Sequence, residues 1–212
     1  SHSSAASDVY KRQEICFRKS IEINPKDDNS YVNLGGILKE LDQFEEAELY
    51  IRKSIIMNPK NEIAYLNLGS ILMKHGYIKE AEISINKAIE LCPNLSEAYS
   101  ILSLILFDND RLEEAKLSAY KAIKLNPKSH NAHSNLGIIL RDLGELEEAE
   151  LSIKKAIEID PKIANCYKNL SLLNYAKKNI DESLKNIEKA NAIDPISLDN
   201  KLLLAILKQR KY

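Results

Sequence analysis

The chain has 212 residues, and its 30 basic side chains nearly balance its 31 acidic ones, which gives a formal net charge of -1. This balance argues against a dedicated nucleic-acid-binding protein, because such a protein needs surplus lysine and arginine to displace counterions from phosphate. The longest apolar runs, "ILSLILF" and "LLLAIL", fall well short of the roughly 18 residues that a membrane-spanning helix requires.

The cysteines argue against a disulfide framework and against a zinc site. There are three of them, far apart and without a CxxC pair: Cys16, Cys92 and Cys166. An odd number without metal-ligand spacing is typical of a reducing compartment. We therefore expect a cytoplasmic protein without a cofactor.

The first thirteen residues, "SHSSAASDVYKRQ", do not fit the pattern that follows them. "SH" resembles a purification-tag scar, and the rest resembles translated adapter sequence. Such segments are excluded from fold reasoning. We expect residues 1–13 to be a tail outside the native fold and the natural N-terminus to be missing.

The rest of the chain has a 34-residue period. All six prolines recur at this interval, and so do one leucine position and two positions that hold small residues. The prolines are Pro25, Pro59, Pro93, Pro127, Pro161 and Pro195. Self-similarity at a fixed period of this length is the signature of a repeat protein.

Each repeat has helical rather than alternating spacing of its apolar residues. In residues 130–163, one apolar stripe runs from Ala132 to Leu140 and a second follows "DLGE". Gly144 in that break can adopt a positive φ without steric cost, and Pro161 ends the second helix. Each repeat is therefore predicted to be a helix pair, and stacked pairs form a solenoid.

Glycine recurs inside the first helices, at Gly35, Gly69 and Gly137. Glycine within a helix costs about 0.5–1 kcal/mol relative to alanine. Its recurrence at one step therefore predicts that two helix axes approach closely at these points.

The segment "AYLNLGSILMKHGYIKEAEISINKAIELCP" resembles a tetratricopeptide repeat. The resemblance covers the chain from about Glu14 onward, and it implies an all-α fold, a right-handed superhelical solenoid of antiparallel helix pairs. The predicted parts of this one continuous domain are a half repeat at 14–27, five repeats at 28–61, 62–95, 96–129, 130–163 and 164–197, and a half repeat at 198–212.

The resemblance also implies a concave groove lined by the first helices. Its central row would read Asn33, Asn67, Ile101, Asn135 and Asn169. A side-chain amide can both donate to and accept from a peptide backbone. The row is similar to the asparagine ladder of the array type found in O-linked N-acetylglucosamine transferase, although Ile101 interrupts it.

We therefore expect an extended peptide or partner segment to bind in the groove. The four asparagines would hold its backbone, and apolar residues beside them would receive its side chains. These apolar residues are Leu66, Ile101, Leu104, Phe107, Ile138 and Tyr175.

Other chemistry is not predicted. His130 and His133 lie three residues apart, but His133 occupies a position that holds tyrosine in other repeats, so we expect it to pack rather than to bind metal. Chaperone-binding repeat domains clamp a C-terminal carboxylate with Lys, Asn and Arg side chains at set positions. None of these positions holds a cationic residue in this chain. Neither a phosphate-binding loop nor a nucleophile motif occurs, so no enzymatic activity is expected.

Three hypotheses about function remain open. The first is a non-catalytic scaffold for protein–protein interaction. The second is the substrate-recognition array of a larger enzyme, for example a glycosyltransferase, whose catalytic domain is absent. The third is self-assembly, with a homodimer formed through the terminal half repeats, because the last helix carries Leu202, Leu203, Leu204, Ile206 and Leu207.

Overall fold

The structure is a computed structural model that describes the backbone of residues 4–211 and the side chains of residues 9–210. The described part contains twelve α-helices and no strand. In chain order the helices are α1 (Ser4–Ile23), α2 (Asp28–Glu40), α3 (Phe44–Met57), α4 (Glu62–Lys74), α5 (Ile78–Leu91), α6 (Ser96–Asp108), α7 (Leu112–Leu125), α8 (His130–Asp142), α9 (Leu146–Ile159), α10 (Ala164–Ala176), α11 (Ile180–Ile193) and α12 (Leu198–Lys211).

Consecutive helices pack as pairs. Helix α2 packs on α3, α4 on α5, α8 on α9 and α10 on α11. Each pair coincides with one of the predicted repeats, and the predicted third repeat contains α6 and α7. The predicted all-α fold of helix pairs is confirmed.

The N-terminal helix is longer than the predicted half repeat. Helix α1 begins at Ser4, so residues 4–13 of the predicted tail are its first half. Residues 1–3 of that tail lie outside the described residues. That the tail is foreign to the native protein stays a prediction.

The chain divides into two compact units, one up to Ile105 and one from Leu106, with the boundary inside α6. The core of unit 1 contains fully buried side chains from α2 to α5, among them Leu38, Ile51 and Ile85. In unit 2, Ile187 and Leu207 belong to a cluster that joins α11 to α12.

The turn inside each repeat contains one residue with positive φ. Gly76 and Gly144 have φ values of 78° and 82°, so the prediction for Gly144 is confirmed. Asp42, Asp110 and Lys178 occupy the same position in the other turns, with φ values near 60°. Glycine adopts this conformation without strain, whereas a residue with a Cβ atom does not.

The loop between repeats closes with a side-chain cap. Asn58 Oδ1 accepts a hydrogen bond from the backbone N–H of Lys60 at 3.1 Å, across Pro59. The same bond forms at Asn24, Asn126, Asp160 and Asp194. Since proline cannot continue the helical ladder, this turn fixes where these five helices end, and Cys92 takes the capping position after α5.

The recurrent glycines lie where two helices touch, as predicted. A Cβ atom built on Gly35 would lie 2.5 Å from Ile51 Cδ1, and one on Gly137 would lie 2.4 Å from Ile153 Cγ1. Gly69 makes the equivalent contact with Ile85. These distances are far below van der Waals contact, so the pairs require glycine at this spacing.

In the fifth repeat, hydrogen bonds between the two helices take the place of the glycine contact. Ser171 takes the glycine position, and Ser183 takes the facing small-residue position. Both side chains are fully buried. Ser171 Oγ donates to the carbonyl oxygen of Ser183 at 2.8 Å, and Ser183 Oγ contacts the carbonyl oxygen of Ser171 at the same distance.

Candidate functional site

The two asparagines of unit 1 are accessible. Asn33, on α2, is exposed, and Asn67, on α4, is half-buried. Asn67 Oδ1 accepts a hydrogen bond from Lys39 Nζ at 3.2 Å. This bond directs Asn67 Nδ2 toward Gly36, whose missing Cβ atom would lie 3.7 Å from it. The amide thus keeps donor hydrogens beside an uncovered stretch of backbone.

The apolar residues predicted for unit 1 differ in accessibility. Ile101 and Leu104 on α6 are half-buried, so each has surface that a ligand side chain could cover. Leu66 is 3% exposed and belongs to the core, so it offers a ligand little surface.

The two asparagines of unit 2 are largely buried. Asn135 is 8% exposed, and Asn169 is 5% exposed. Asn169 Nδ2 donates to Ser134 Oγ at 2.9 Å, so this amide links α10 to α8. Four asparagines at one repeat position therefore have two different environments.

Ser134 also contacts the thiol of Cys166. Burial raises the pKa of this thiol, and the hydrogen bond with Ser134 acts in the opposite direction. A buried thiol that stays protonated is a packing group rather than a nucleophile.

The aromatic and aliphatic residues predicted for unit 2 are half-buried. Arg210 covers one face of the Tyr175 ring, with its guanidinium carbon 5.4 Å from the ring centre. Tyr175 also packs against the cluster between α11 and α12. Phe107 and Ile138 are the other predicted residues in this unit, and both keep partly exposed surface.

Helix α12 carries an aliphatic line that the predicted site does not include. Leu198, Leu202 and Ile206 are 79%, 63% and 41% exposed. By the same 34-residue step, Leu202 and Ile206 correspond to the predicted groove residues Leu66 and Leu104. The repeat step thus assigns these two residues to the groove, whereas the apolar character of α12 taken alone predicts self-association.

His133, one of the two histidines considered as metal ligands, serves the local fold. His133 Nε2 lies 3.1 Å from the carbonyl oxygen of Pro127, and so ties α8 to the preceding loop. Within residues whose side chains are described, His, Cys, Asp and Glu form no group of three that could hold a metal ion. No helix in the described part has the length and apolar character needed to cross a membrane.

Comparisons with known proteins identify the repeats. Family models described as tetratricopeptide repeat match residues 16–48, 63–95, 96–129 and 130–163, together more than half of the chain. None of the curated proteins matches the sequence.

Solved structures with the same fold include several proteins of this repeat type. YrrB, described as a TPR protein with an unusual peptide-binding site, is 24% identical, with a TM-score of 0.61 over 91% of this chain and 97% of YrrB. TTC0263, a thermophilic TPR protein from Thermus thermophilus, is 23% identical, with a TM-score of 0.77 over 86% of this chain and 99% of its own. MamA is 27% identical, with a TM-score of 0.60 over 79% and 92%.

Proposed function

Because the chain belongs to the tetratricopeptide repeat family, we propose that it is a non-catalytic interaction scaffold that binds an extended peptide along its first helices. The observation that carries this proposal is the arrangement of Asn33, Gly36 and Asn67 in unit 1. There, accessible amides lie beside a position without a side chain, and a peptide backbone can approach closely only at such a position.

The chemistry of this arrangement suits a peptide backbone. With its oxygen bound to Lys39, Asn67 can donate from Nδ2 to a ligand carbonyl. Exposed Asn33 can donate or accept. Ile101 and Leu104 would contact apolar side chains of the ligand, and such contacts supply the selectivity that backbone bonds lack.

Taken by itself, unit 2 offers a peptide mainly apolar contacts. Asn135 and Asn169 are too buried to reach a ligand without rearrangement. Ile138, Phe107 and the aliphatic line of α12 would then bind ligand side chains. The peptide-binding site described for YrrB supports a role of this kind for the fold.

The test separates the accessible amides from the buried ones. Asn33→Ala with Asn67→Ala should lower the affinity for peptides selected from a library about tenfold, because each lost hydrogen bond contributes roughly 0.5–1.5 kcal/mol. Its melting temperature should stay that of the wild type. Asn135→Ala with Asn169→Ala should instead lower the melting temperature.

Binding would be measured by fluorescence anisotropy and melting by circular dichroism. Unchanged affinity in the Asn33/Asn67 variant would refute the proposed role of these amides. If no peptide from the library bound the wild type, peptide binding itself would be refuted.

Two further predictions concern a possible enzymatic partner of the repeats and the cellular compartment of the protein. That the repeats present substrate to an enzyme, such as a glycosyltransferase, stays a prediction, and the gene sequence that follows Tyr212 decides it. Localisation in a reducing compartment such as the cytoplasm also stays a prediction, to which the three free cysteines are suited.

Self-association through the terminal half repeats has one supporting observation, the exposed line of Leu198, Leu202 and Ile206 on α12. Another face of α12 is polar, since Lys201 and Lys208 take positions that hold tyrosine or leucine in earlier repeats. Leu202→Glu should abolish a dimer of this kind and leave the helix content unchanged.

A further inference from the structure

A second surface, separate from the groove, lies on the second helices of unit 2. Leu117 on α7 and Leu151 on α9 are each 69% exposed, and 34 residues separate them. We call the surface that they share with their charged neighbours the outer face. It is defined by Glu113, Glu114, Leu117, Tyr120, Lys121, Glu147, Glu148, Leu151, Lys154 and Lys155.

The outer face is continuous from α7 to α9. Tyr120, three residues after Leu117, donates its hydroxyl to Glu148 Oε2 on α9 at 3.3 Å. Tyr120 is itself 41% exposed. The two leucines therefore lie on one surface, with an exposed aromatic ring between the helices that carry them.

Charge is ordered in the same direction along both helices. Acidic residues precede each leucine by three or four positions, at Glu113 and Glu114 on α7 and at Glu147 and Glu148 on α9. Basic residues follow each leucine by three or four positions, so each helix reads acid, leucine, base on one face.

The two helices run in the same direction. Short connections join α7 to α8 and α8 to α9, and α8 packs against both, so it runs antiparallel to each. One edge of the outer face is therefore acidic, its centre is apolar, and its other edge is basic.

The helix dipole explains part of this order, because acidic residues favour helix N-termini and basic residues favour C-termini. The dipole does not explain exposed leucines between them. The charge order also changes elsewhere: in unit 1, Lys79 precedes Ile83 on α5, and on α11 Lys185 replaces the leucine. Helix α3 has the same charge order around Leu49, but the next second helix, α5, does not; in unit 2 two such helices, α7 and α9, lie on one surface.

We propose that the outer face of α7 and α9 binds the same face of a second copy of this chain around a two-fold axis. A surface that is acidic at one edge and basic at the other is complementary to itself when rotated by half a turn. Leu117 and Leu151 would meet their counterparts at the centre, and each acidic edge would meet a basic edge.

The charged residues can take part in such an interface with little loss of free energy from their present ion pairs. Lys155 pairs with Glu158 on its own helix at 2.9 Å, and Lys154 pairs with Glu150 at 2.6 Å. Lys154 and Lys155 keep side-chain exposures of 60% and 47%. Exposed pairs of this kind are weak, so these lysines can bind a carboxylate of a second copy instead. An interface with two leucines from each copy at its centre and exposed ion pairs around them makes the dimer reversible and concentration-dependent.

Such a dimer would leave the first helices of both copies free. Each copy could hold one peptide segment, and a partner with two such segments would bind more tightly than one with a single segment. The surface would therefore make the scaffold bivalent.

Sedimentation velocity of the full chain over a concentration series tests the interface. The wild-type mass should rise from 24.0 kDa toward twice that value. Leu117→Glu with Leu151→Glu should stay at the monomer mass, with unchanged circular dichroism because both side chains are exposed. The matched control is Leu49→Glu, at the same repeat position on α3, which should dimerise as the wild type does.

A charge-exchange experiment distinguishes a specific interface from nonspecific association. Reversing all four carboxylates of the acidic edge should prevent dimerisation, because two basic edges then meet; these changes are Glu113→Lys, Glu114→Lys, Glu147→Lys and Glu148→Lys. Adding Lys121→Glu, Lys154→Glu and Lys155→Glu to the same chain should restore it.

A wild type that stays monomeric at every concentration would overturn the proposal. So would a dimer that survives Leu117→Glu with Leu151→Glu and is lost in Leu202→Glu, since the interface would then lie on α12. A charge-exchanged chain that stays monomeric would show that the two edges do not meet.

Discussion

The same residue type has opposite roles at two positions of this protein. Gly137 is buried, and a Cβ atom there would lie 2.4 Å from Ile153 Cγ1 and 3.2 Å from the carbonyl oxygen of Ala149. Gly36 lies on the accessible side of α2, and the nearest atom to its Cβ position is Asn67 Nδ2, at 3.7 Å. One glycine is required by packing, and the other is required by nothing in the fold.

Replacing each glycine with alanine should therefore change stability in opposite directions. Gly137→Ala should lower the free energy of unfolding by about 1–2 kcal/mol, because overpacking exceeds the gain in helix propensity. Gly36→Ala should raise it by about 0.5–1 kcal/mol. Urea denaturation followed by circular dichroism measures both, and a stabilised Gly137→Ala variant would contradict the packing explanation.

The sequence predicted the packing role of Gly137 but not the unequal asparagines. The 34-residue step brings Asn67 and Asn169 to equivalent positions, and only their neighbours distinguish them. Ser134, in the preceding repeat, offers Asn169 a hydroxyl at 2.9 Å. The equivalent residue near Asn67 is Val32, which has no polar group, so Asn67 bonds with Lys39 instead. A repeat position fixes the location of a side chain, and the side chains around it decide its exposure.

At the scale of helices, a carboxylate on one repeat forms an ion pair that links this repeat to the next one. Glu150 on α9 binds Lys154 Nζ at 2.6 Å on the same helix and Lys177 Nζ at 2.8 Å after α10. Hydrogen bonds with Lys154 and then Lys177 hold the pKa of Glu150 below its ordinary value of 4.5.

This tie should make part of the stability depend on pH. Because the pKa is lower in the folded state, the contribution is complete above pH 4.5 and is lost as the pH falls through the lowered value. Glu150→Gln should lower the free energy of unfolding at pH 7 by about 0.2–1 kcal/mol. The difference from wild type should shrink with acidification below pH 4.5.

Thermal melts between pH 3 and pH 7 would measure this dependence. Glu158→Gln is the matched control, because its pair with Lys155 is on one helix and its side chain is 70% exposed. An equal effect of both substitutions would contradict a tie between repeats.

Most helix boundaries follow from the repeat pattern, because each turn and each loop has its own chemistry. Gly144 in a turn and Pro161 in a loop mark where the chain must leave the helix. The start of α1 could not be predicted in this way. It lies beyond the first position at which the pattern applies, and no turn residue precedes it in phase.

Across the whole molecule, stability is a sum of contacts between neighbouring helices, and the junction of α11 with α12 contains two asparagines with poorly satisfied polar groups. Asn191 takes a position that holds isoleucine in earlier repeats, such as Ile157, and its buried Oδ1 has no hydrogen-bond partner within the protein. Asn200, 3% exposed, reaches the carbonyl oxygen of Ala190 at 3.4 Å. This junction should open before the others.

Asn191→Ile should restore an apolar contact and remove an unpaired oxygen. It should raise the free energy of unfolding by about 1 kcal/mol and slow hydrogen exchange in α12 more than in α4. Hydrogen-exchange mass spectrometry measures this local effect. Ala192→Ile, at the exposed neighbouring position, is the control and should change stability by less than about 0.5 kcal/mol.

The asparagines that cap the loops have a consequence for chemical ageing. Asparagine deamidates when the backbone nitrogen of the next residue attacks its side-chain amide, and a following proline has no N–H to supply that nucleophile. Asn24, Asn58 and Asn126 each precede a proline. The residues that cap these exposed loops are thus protected from deamidation by the prolines that end the helices.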